Sequence, residues 1–185
     1  MLTLPFDDAG RPRAPEHPGA PVTPRGRVGA QQLQGIHDHL RHELAHVERV
    51  VAAAALDARR AADARALVQD LSMGVNYAAL GSFCGRYCSV VDVHHRIEDA
   101  AMFPDLAAAD AELQPVLDRL SQEHVAVHGA LVELDQALVA MVEQGAPGLP
   151  RVQEALGVLS QGLLSHLDYE ERELLPAIAR LGLLV

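Results

Sequence analysis

Lysine and tryptophan are absent from the chain, and aromatic residues make up only 3% of it. Every basic side chain is therefore an arginine, which together with abundant alanine is typical of a GC-rich bacterial genome. β-Branched residues other than valine are also scarce, so the composition favours helix over sheet. A chain of 185 residues with 49% apolar content can bury a sizeable core in one domain without disulfides.

A shortage of positive charge and of cysteine limits the partners and the compartment. The formal net charge of −10 argues against nucleic acid as the main partner and against docking on an anionic membrane, because both need a basic face. We expect no bilayer-spanning stretch, and the first residues lack the pattern of a signal peptide. Cys84 and Cys88 are more typical of small buried apolar groups than of a disulfide framework. We therefore expect a cytoplasmic protein.

Proline and glycine are concentrated at the start of the chain. They predict a flexible arm, irregular or disordered, over residues 1–30. Periodic apolar segments begin at Gln31, and their short connections predict an all-α, antiparallel up-down four-helix bundle over residues 31–185. The predicted helices A to D cover residues 31–56, a segment ending near residue 105, a segment from the turn at residues 107–110 to residue 144, and residues 151–174.

Glycine and proline also mark predicted breaks within the helices. Helix B begins at or after Asp63, and three glycines in this stretch are compatible with a kink or a break. They are Gly74, Gly81 and Gly85. Pro176 is expected to weaken or end helix D, which leaves residues 177–185 as a short tail.

Pairs of histidine and glutamate spaced four residues apart occur in helices B, C and D. Residues at this spacing share one helix face, so a pair can bind one metal or two adjacent metals. Each pair also continues the apolar stripe facing the core, where an unpaired imidazole or carboxylate is costly. A shared metal satisfies all of them; a hydrogen-bonded polar core without metal is the alternative. The pairs are His94 with Glu98, His124 with His128, and His166 with Glu170.

Helix A supplies the fourth wall of the bundle. His37 is in phase with the apolar stripe that contains Leu33 and Leu40, so we expect it to point inward. Three further histidines fall off this stripe and are expected to be solvated or at its boundary. They are His39, His42 and His46. The sequence therefore predicts seven metal-binding side chains, His37 and the three pairs.

The stretch from about residue 31 to 182 resembles the hemerythrin-like, or HHE cation-binding, family. The resemblance rests on the order His, His-x-x-x-Glu, His-x-x-x-His and His-x-x-x-Glu across four helices. The motifs are IHDHLRHEL, HHRIEDAAMFP, EHVAVH and HLDYEERELLP. Ferritin-like carboxylate oxidases are the nearest competitor, but they need two Glu-x-x-His motifs. This chain has only Glu43-x-x-His46, which lies mostly off the inward stripe.

The resemblance implies two non-haem iron ions joined by an oxo or hydroxo bridge. It implies three histidines on one iron, two on the other, and two carboxylates that bridge them. These are His124, His128 and His166 on the first iron, His37 and His94 on the second, and Glu98 and Glu170 as bridges. The second iron then keeps an open position for dioxygen, nitric oxide or peroxide, which we expect Leu163 to cap.

The second bridging carboxylate has two candidates. In the oxygen-carrying branch of the family the carboxylate follows the last histidine by five residues, and Glu171 occupies that place here. We favour Glu170 because it keeps the inward phase, whereas Glu171 is rotated by about 100° on an ideal helix.

Neighbouring side chains leave further alternatives open. Tyr87, two turns before His94 on the same face, is either a proton or electron donor to the site or a core residue with a satisfied hydroxyl. We expect His95, Arg96 and Asp99 to face outward or to contact the ligands from outside.

Two classes of function remain. The first is a binding protein for a small diatomic or peroxide ligand, in storage, sensing or detoxification. The second is a di-iron enzyme, namely an oxidase, a peroxidase or catalase, or a nitric oxide-processing activity.

Overall fold

Four long helices account for most of the chain in a computed structural model, which describes residue 4 and residues 6–63 and 86–184. Helix α1 covers Pro24–Asp63, α3 covers Gln114–Gln144 and α4 covers Leu149–Leu181. Helix α2 is described from residue 86 and continues through a wider, π-helical turn at Glu98–Met102 into Phe103–Ala109. The described ranges contain no strand, and the predicted all-α class is confirmed.

Neighbouring helices run antiparallel, as cross-helix contacts demonstrate. Between α1 and α4, Arg41 pairs with Asp168, whereas Glu48, further along α1, accepts a hydrogen bond from Ser160, which comes earlier in α4. The same opposed order holds between α2 and α3 and between α3 and α4. These contacts confirm the up-down bundle.

Helix α1 begins earlier than the sequence predicted. It starts at Pro24 rather than Gln31 and continues to Asp63. Proline suits the first helical turn because its missing N–H would have no partner there. The Thr23 hydroxyl accepts a hydrogen bond from the Gly26 N–H at 2.9 Å, which caps the helix. The proline- and glycine-rich composition around Pro24 concealed this helix start.

Helix α4 continues past Pro176 to Leu181, so the predicted end at this proline is wrong. Proline inside a helix removes a hydrogen bond and costs about 3 kcal/mol. Burial of Ala177 and Ile178 in an apolar cluster offsets this cost. In addition, the Thr23 N–H donates to the carbonyl of Ala179, which ties the end of α4 to the start of α1.

The N-terminal arm is irregular apart from a short turn at Asp8–Gly10, and it packs against the bundle. Phe6 is buried in the core, and the hydroxyl of Tyr169 donates to the carbonyl of Pro12 at 2.9 Å. The Arg11 side chain is 2% exposed. The arm therefore belongs to the folded body.

The apolar core is divided into two clusters. In α1, Leu40 belongs to one cluster and Leu33 to the other. In α3, Val127 and Leu120 are divided in the same way. Between these levels each helix carries buried polar side chains instead of apolar ones. A polar layer therefore crosses the bundle and is closed by apolar packing on both sides.

The expectation that no stretch is long enough to span a bilayer is not supported by helix α3. The segment Ala111–Gln144 is long and apolar enough to do so, judged by length and composition alone. Core helices of soluble bundles meet the same criterion. In this segment, 44% of the apolar 18-residue stretch that meets it is buried inside the protein.

Some sequence-based predictions fall on residues outside the described ranges. These are the break at Gly74, Gly81 and Gly85 and the burial of Cys84. Cys88 is half-buried, and burial raises the pKa of its thiol to about 11, as expected for an unreactive, apolar-like cysteine.

We predict that Gly26→Ala destabilises the bundle. A Cβ at Gly26 would overlap the backbone carbonyl oxygens of Ile178 and Ala179, where α1 and α4 approach closely. Overpacking of this kind costs about 1–3 kcal/mol in the free energy of unfolding. Gly35→Ala is the matched control in the same helix, because a Cβ there meets no atom within 4 Å. It should be neutral or stabilise by up to about 1 kcal/mol. Urea unfolding compares the variants, and equal effects would contradict the close approach.

Candidate metal centre

The polar layer contains five histidines and two glutamates, and all four helices contribute to it. All seven side chains are buried. They form two groups, and within each group one nitrogen or oxygen atom of every residue lies within 4.8 Å of those of the others. The first group is His95, His124 and His166, and the second is His37, His94, Glu98 and Glu170.

The atoms that face one another in this layer lack hydrogen-bond partners within the described part of the chain. They are the Nε2 atoms of all five histidines and both carboxylate oxygens of Glu98 and Glu170, and the Nδ1 of His124 also lacks a hydrogen bond. An unsatisfied buried polar group costs about 1–3 kcal/mol, and native proteins pair nearly all such groups. A metal cation accepts lone pairs from nitrogen and oxygen together. These seven residues therefore fit a metal centre.

Both carboxylates contact histidines of the two groups. Glu98 Oε1 lies 3.1 Å from His94 Nε2, and Glu98 Oε2 lies 3.5 Å from His124 Nε2. Glu170 Oε2 lies 3.6 Å from one histidine Nε2 of each group. Such positions allow each carboxylate to bind two neighbouring cations at once.

Helix α2 contributes two adjacent histidines because of its helical phase. Its buried positions are Val91, His94, His95, Glu98 and Met102. Both histidines lie three or four residues from Val91 and from Glu98, so both fall on the buried stripe. The π-helical turn begins at Glu98, directly after the two histidines. Such turns are frequent at functional sites.

His128 is the one predicted ligand that the structure does not bring to the layer. Its side chain is 56% exposed, and its Nδ1 lies 3.0 Å from Asp92 Oδ1. The buried stripe of α3 passes through His124 and Val127, and His128 is rotated by about 100° from Val127. The prediction that His128 points inward is therefore wrong.

His95 occupies the layer instead, which corrects the expectation that it faces outward or contacts the ligands from outside. It is 5% exposed, and its ring stacks on that of His124 with centroids 4.1 Å apart. A sequence signal was present, because His95 follows Val91 by four residues and precedes Glu98 by three. The spacing His94-x-x-x-Glu98 instead favours His94 as the inward member of the pair.

Three histidines of the layer have a carboxylate at their other ring nitrogen. An Nδ1–H that donates to a carboxylate fixes the tautomer and leaves Nε2 free to bind a metal. His37 makes this hydrogen bond to Glu171 at 2.9 Å, and His166 makes it to Glu123 at 3.3 Å. The Nδ1 of His124 lies 3.1 Å from Asp99 Oδ2 but without hydrogen-bond geometry.

Glu170 and Glu171 have different positions, as the helical phase predicted. Glu170 is fully buried in the layer, whereas Glu171 contacts His37 from outside. Arg41 donates to Glu171 at 2.6 Å and to Asp168 at 2.8 Å. Glu171 therefore orients His37, and the Glu171 carboxylate is already paired with His37 and Arg41.

Burial keeps three histidines of the layer neutral. Burial, together with the charges of His37 and His124, lowers the pKa of His94 to about 3. Burial and neighbouring histidines likewise lower the pKa of His95 and of His166 well below the usual value. Their lone pairs are therefore available near neutral pH, as metal binding requires.

His37 behaves differently because carboxylates surround it. Burial alone lowers its pKa, but Glu171, Glu98 and Glu170 outweigh this effect and raise the pKa to about 9. Burial and the charge of Glu170 raise the pKa of Glu98 as well. A cation that binds the Nε2 of His37 near neutral pH must therefore displace a proton.

Tyr87 and Leu163 both belong to the apolar cluster on one side of the layer. The Tyr87 hydroxyl donates to the carbonyl of Leu40 at 3.3 Å, and burial raises its pKa above the usual value. This geometry supports the core role rather than that of a donor to the site. Leu163 is fully buried in the adjoining apolar cluster, one turn before His166.

Comparison with known proteins identifies one family. The model of the hemerythrin HHE cation-binding domain matches residues 28–178. This range includes all seven residues of the layer but not the N-terminal arm. No curated protein and no solved structure matches the chain significantly.

We predict that His95→Ala lowers metal affinity by more than about tenfold, because it removes a nitrogen from the layer; even partners that only orient a ligand are worth 10–100-fold. His128→Ala is the matched control, since the structure places His128 at the surface. Metal analysis after dialysis against a weak chelator compares the two. A larger loss in His128→Ala than in His95→Ala would refute the revised set.

Proposed function

Because the chain belongs to the hemerythrin HHE cation-binding domain family, we propose that its polar layer holds two non-haem iron ions and binds dioxygen, nitric oxide or peroxide. The observation that carries the proposal is the set of buried nitrogen and oxygen atoms that have no hydrogen-bond partner among the described residues, in two groups that both contact Glu98 and Glu170. The family binds cations; the metal, its number and the small ligand are our proposals.

The number and type of donors favour iron over zinc. A structural zinc site takes four ligands in a compact tetrahedral set, and this layer offers seven side chains. Imidazole with carboxylate suits iron among the first-row metals. We assign His95, His124 and His166 to one iron and His37 and His94 to the other. Glu98 and Glu170 are shared by both.

The unequal division of histidines leaves one iron with fewer protein ligands. Reduced iron at such a place supplies an open position and the electrons for binding dioxygen or nitric oxide. The protein would exclude water from this position and hold the histidines in a fixed orientation. Phe103 stacks on His124 with centroids 5.4 Å apart, and Leu163 and Val127 lie fully buried in the cluster on the other side.

The alternative is a di-iron enzyme: an oxidase, a peroxidase or catalase, or a nitric oxide-processing activity. Asp99 favours this alternative. Its side chain is 41% exposed and contacts the Nδ1 of His124, which is 4% exposed. This contact connects the layer to solvent through one carboxylate. An enzyme that consumes protons needs such a connection, whereas a reversible carrier does not.

Gas binding by the reduced protein tests the proposal. Iron-loaded protein, reduced without air, should change its absorption spectrum on addition of nitric oxide or dioxygen, and metal-free protein should not. Tyr87→Phe should respond like the wild type, because the hydroxyl is bonded to Leu40. A protein that retains two irons yet responds to neither gas would contradict the proposal.

A peroxide assay distinguishes the enzyme from the binding protein. If the protein is an enzyme, it should consume peroxide catalytically, and Asp99→Asn should slow this turnover per bound iron. Gas binding without peroxide turnover favours the binding protein.

A further inference from the structure

The N-terminal arm places an arginine beside the candidate metal centre. Arg11 lies outside the range that matches the family model, which begins at residue 28. Its side chain is 2% exposed, and the carboxylate of Glu123 that it contacts is 0% exposed. A charge buried this deeply is tolerated only when it is well paired.

Arg11 holds both oxygens of Glu123. Its Nε donates to Oε1 at 2.9 Å and its Nη2 donates to Oε2 at 2.8 Å. Arg119 also donates to Glu123, but only to Oε1, at 2.7 Å. Among the described residues, Arg11 is therefore the only arginine on Oε2. This oxygen lies 3.3 Å from the Nδ1 of His166.

The guanidinium of Arg11 is itself fixed in position. It lies over the ring of Tyr169, 4.5 Å from the centroid, and 5.2 Å from that of Phe6. Its Nη1 donates to the hydroxyl of Ser165 at 3.0 Å. A planar fork held in this way sets the plane of the carboxylate, which the point charge of a lysine cannot do.

We infer that Arg11 is a positioning residue that orients His166 through Glu123, so that the N-terminal arm is a functional part of the metal centre. The inference rests on the proposed function only in that His166 is taken as a ligand. Glu123 Oε2 accepts the Nδ1–H of His166, which directs the Nε2 lone pair into the layer. Without Arg11, Arg119 is the one arginine among the described residues that still holds the carboxylate, and it does so from Oε1.

The first measurement uses metal-free protein and therefore does not depend on the metal. The Nδ1–H proton of His166 should exchange slowly with water in the wild type, as seen in nitrogen-15 NMR of the imidazole. Arg11→Met should speed this exchange. Arg13→Met is the matched control, because Arg13 is also on the arm, is 56% exposed and pairs with Asp8 and Glu173 instead. It should leave the exchange unchanged.

The second measurement is the rate of iron release to a chelator. Partners that orient metal ligands change affinity by about 10–100-fold, so we expect release about tenfold faster in Arg11→Met and unchanged in Arg13→Met. Arg11→Lys keeps the charge but not the fork, and its rate should lie between those of Arg11→Met and the wild type. In a Glu123→Gln background, Arg11→Met should add nothing, because the two residues act in series.

The outcomes separate this inference from the proposed function. Wild-type protein that binds no iron would contradict the function, while proton exchange would still decide the role of Arg11. Equal exchange and equal release in Arg11→Met and Arg13→Met would overturn the inference. If Arg11→Met does not fold, Arg11→Lys decides: wild-type exchange and release in that variant would equally overturn the inference.

Discussion

The structure depends on one constraint, namely that a layer of imidazole and carboxylate groups is buried between two apolar clusters, and its inward nitrogen and oxygen atoms have no hydrogen-bond partner among the described residues. Each unpartnered group costs about 1–3 kcal/mol, and a domain has only about 5–15 kcal/mol of stability in total. Several such groups together therefore rival the stability of the whole bundle. A cation that binds only the folded state offsets this cost by mass action. The fold and the proposed metal are thus linked energetically.

The surroundings of the layer repeat one arrangement. A carboxylate contacts the outer nitrogen of His37, His124 and His166, and a further donor holds that carboxylate in turn. Arginine fills this role for Glu171 and Glu123, and Ser121 fills it for Asp99. The donors come from helices α1 and α3 and from the arm. Orientation of the ligands therefore depends on packing throughout the molecule.

Much of this arrangement could be predicted from helical phase. The positions of His37, His124 and Glu170 follow from their place on apolar stripes, because burial of such a stripe dictates which residues meet. His128 was misplaced because the spacing of four residues was given more weight than phase, although Val127 already occupied the inward position. His95 was not predicted, because the pair spaced by four residues included only His94. A buried stripe whose residues are spaced by three and four can include both members of an adjacent pair, as it does at His94 and His95.

Other features could not be predicted from pattern alone. Proline usually ends a helix, but α4 continues past Pro176 because tertiary packing stabilises its last turn. The burial of Ile178 that contributes to this packing depends on contacts with distant residues. The buried carboxylate of Glu123 is paired with Arg11, more than a hundred residues away along the chain. The arm has no periodicity from which such a contact can be derived. Long-range ion pairs of this kind require the folded structure.

The central claim is that this layer, with His95 and without His128, is a metal centre. The most direct test is anomalous diffraction at the iron absorption edge from crystals of iron-loaded protein. The account predicts two anomalous peaks inside the bundle, one among His95, His124 and His166 and one beside His37 and His94, with Glu98 and Glu170 between them. A peak at the surface beside His128 and Asp92, or iron-containing crystals with no peak in the layer, would contradict it.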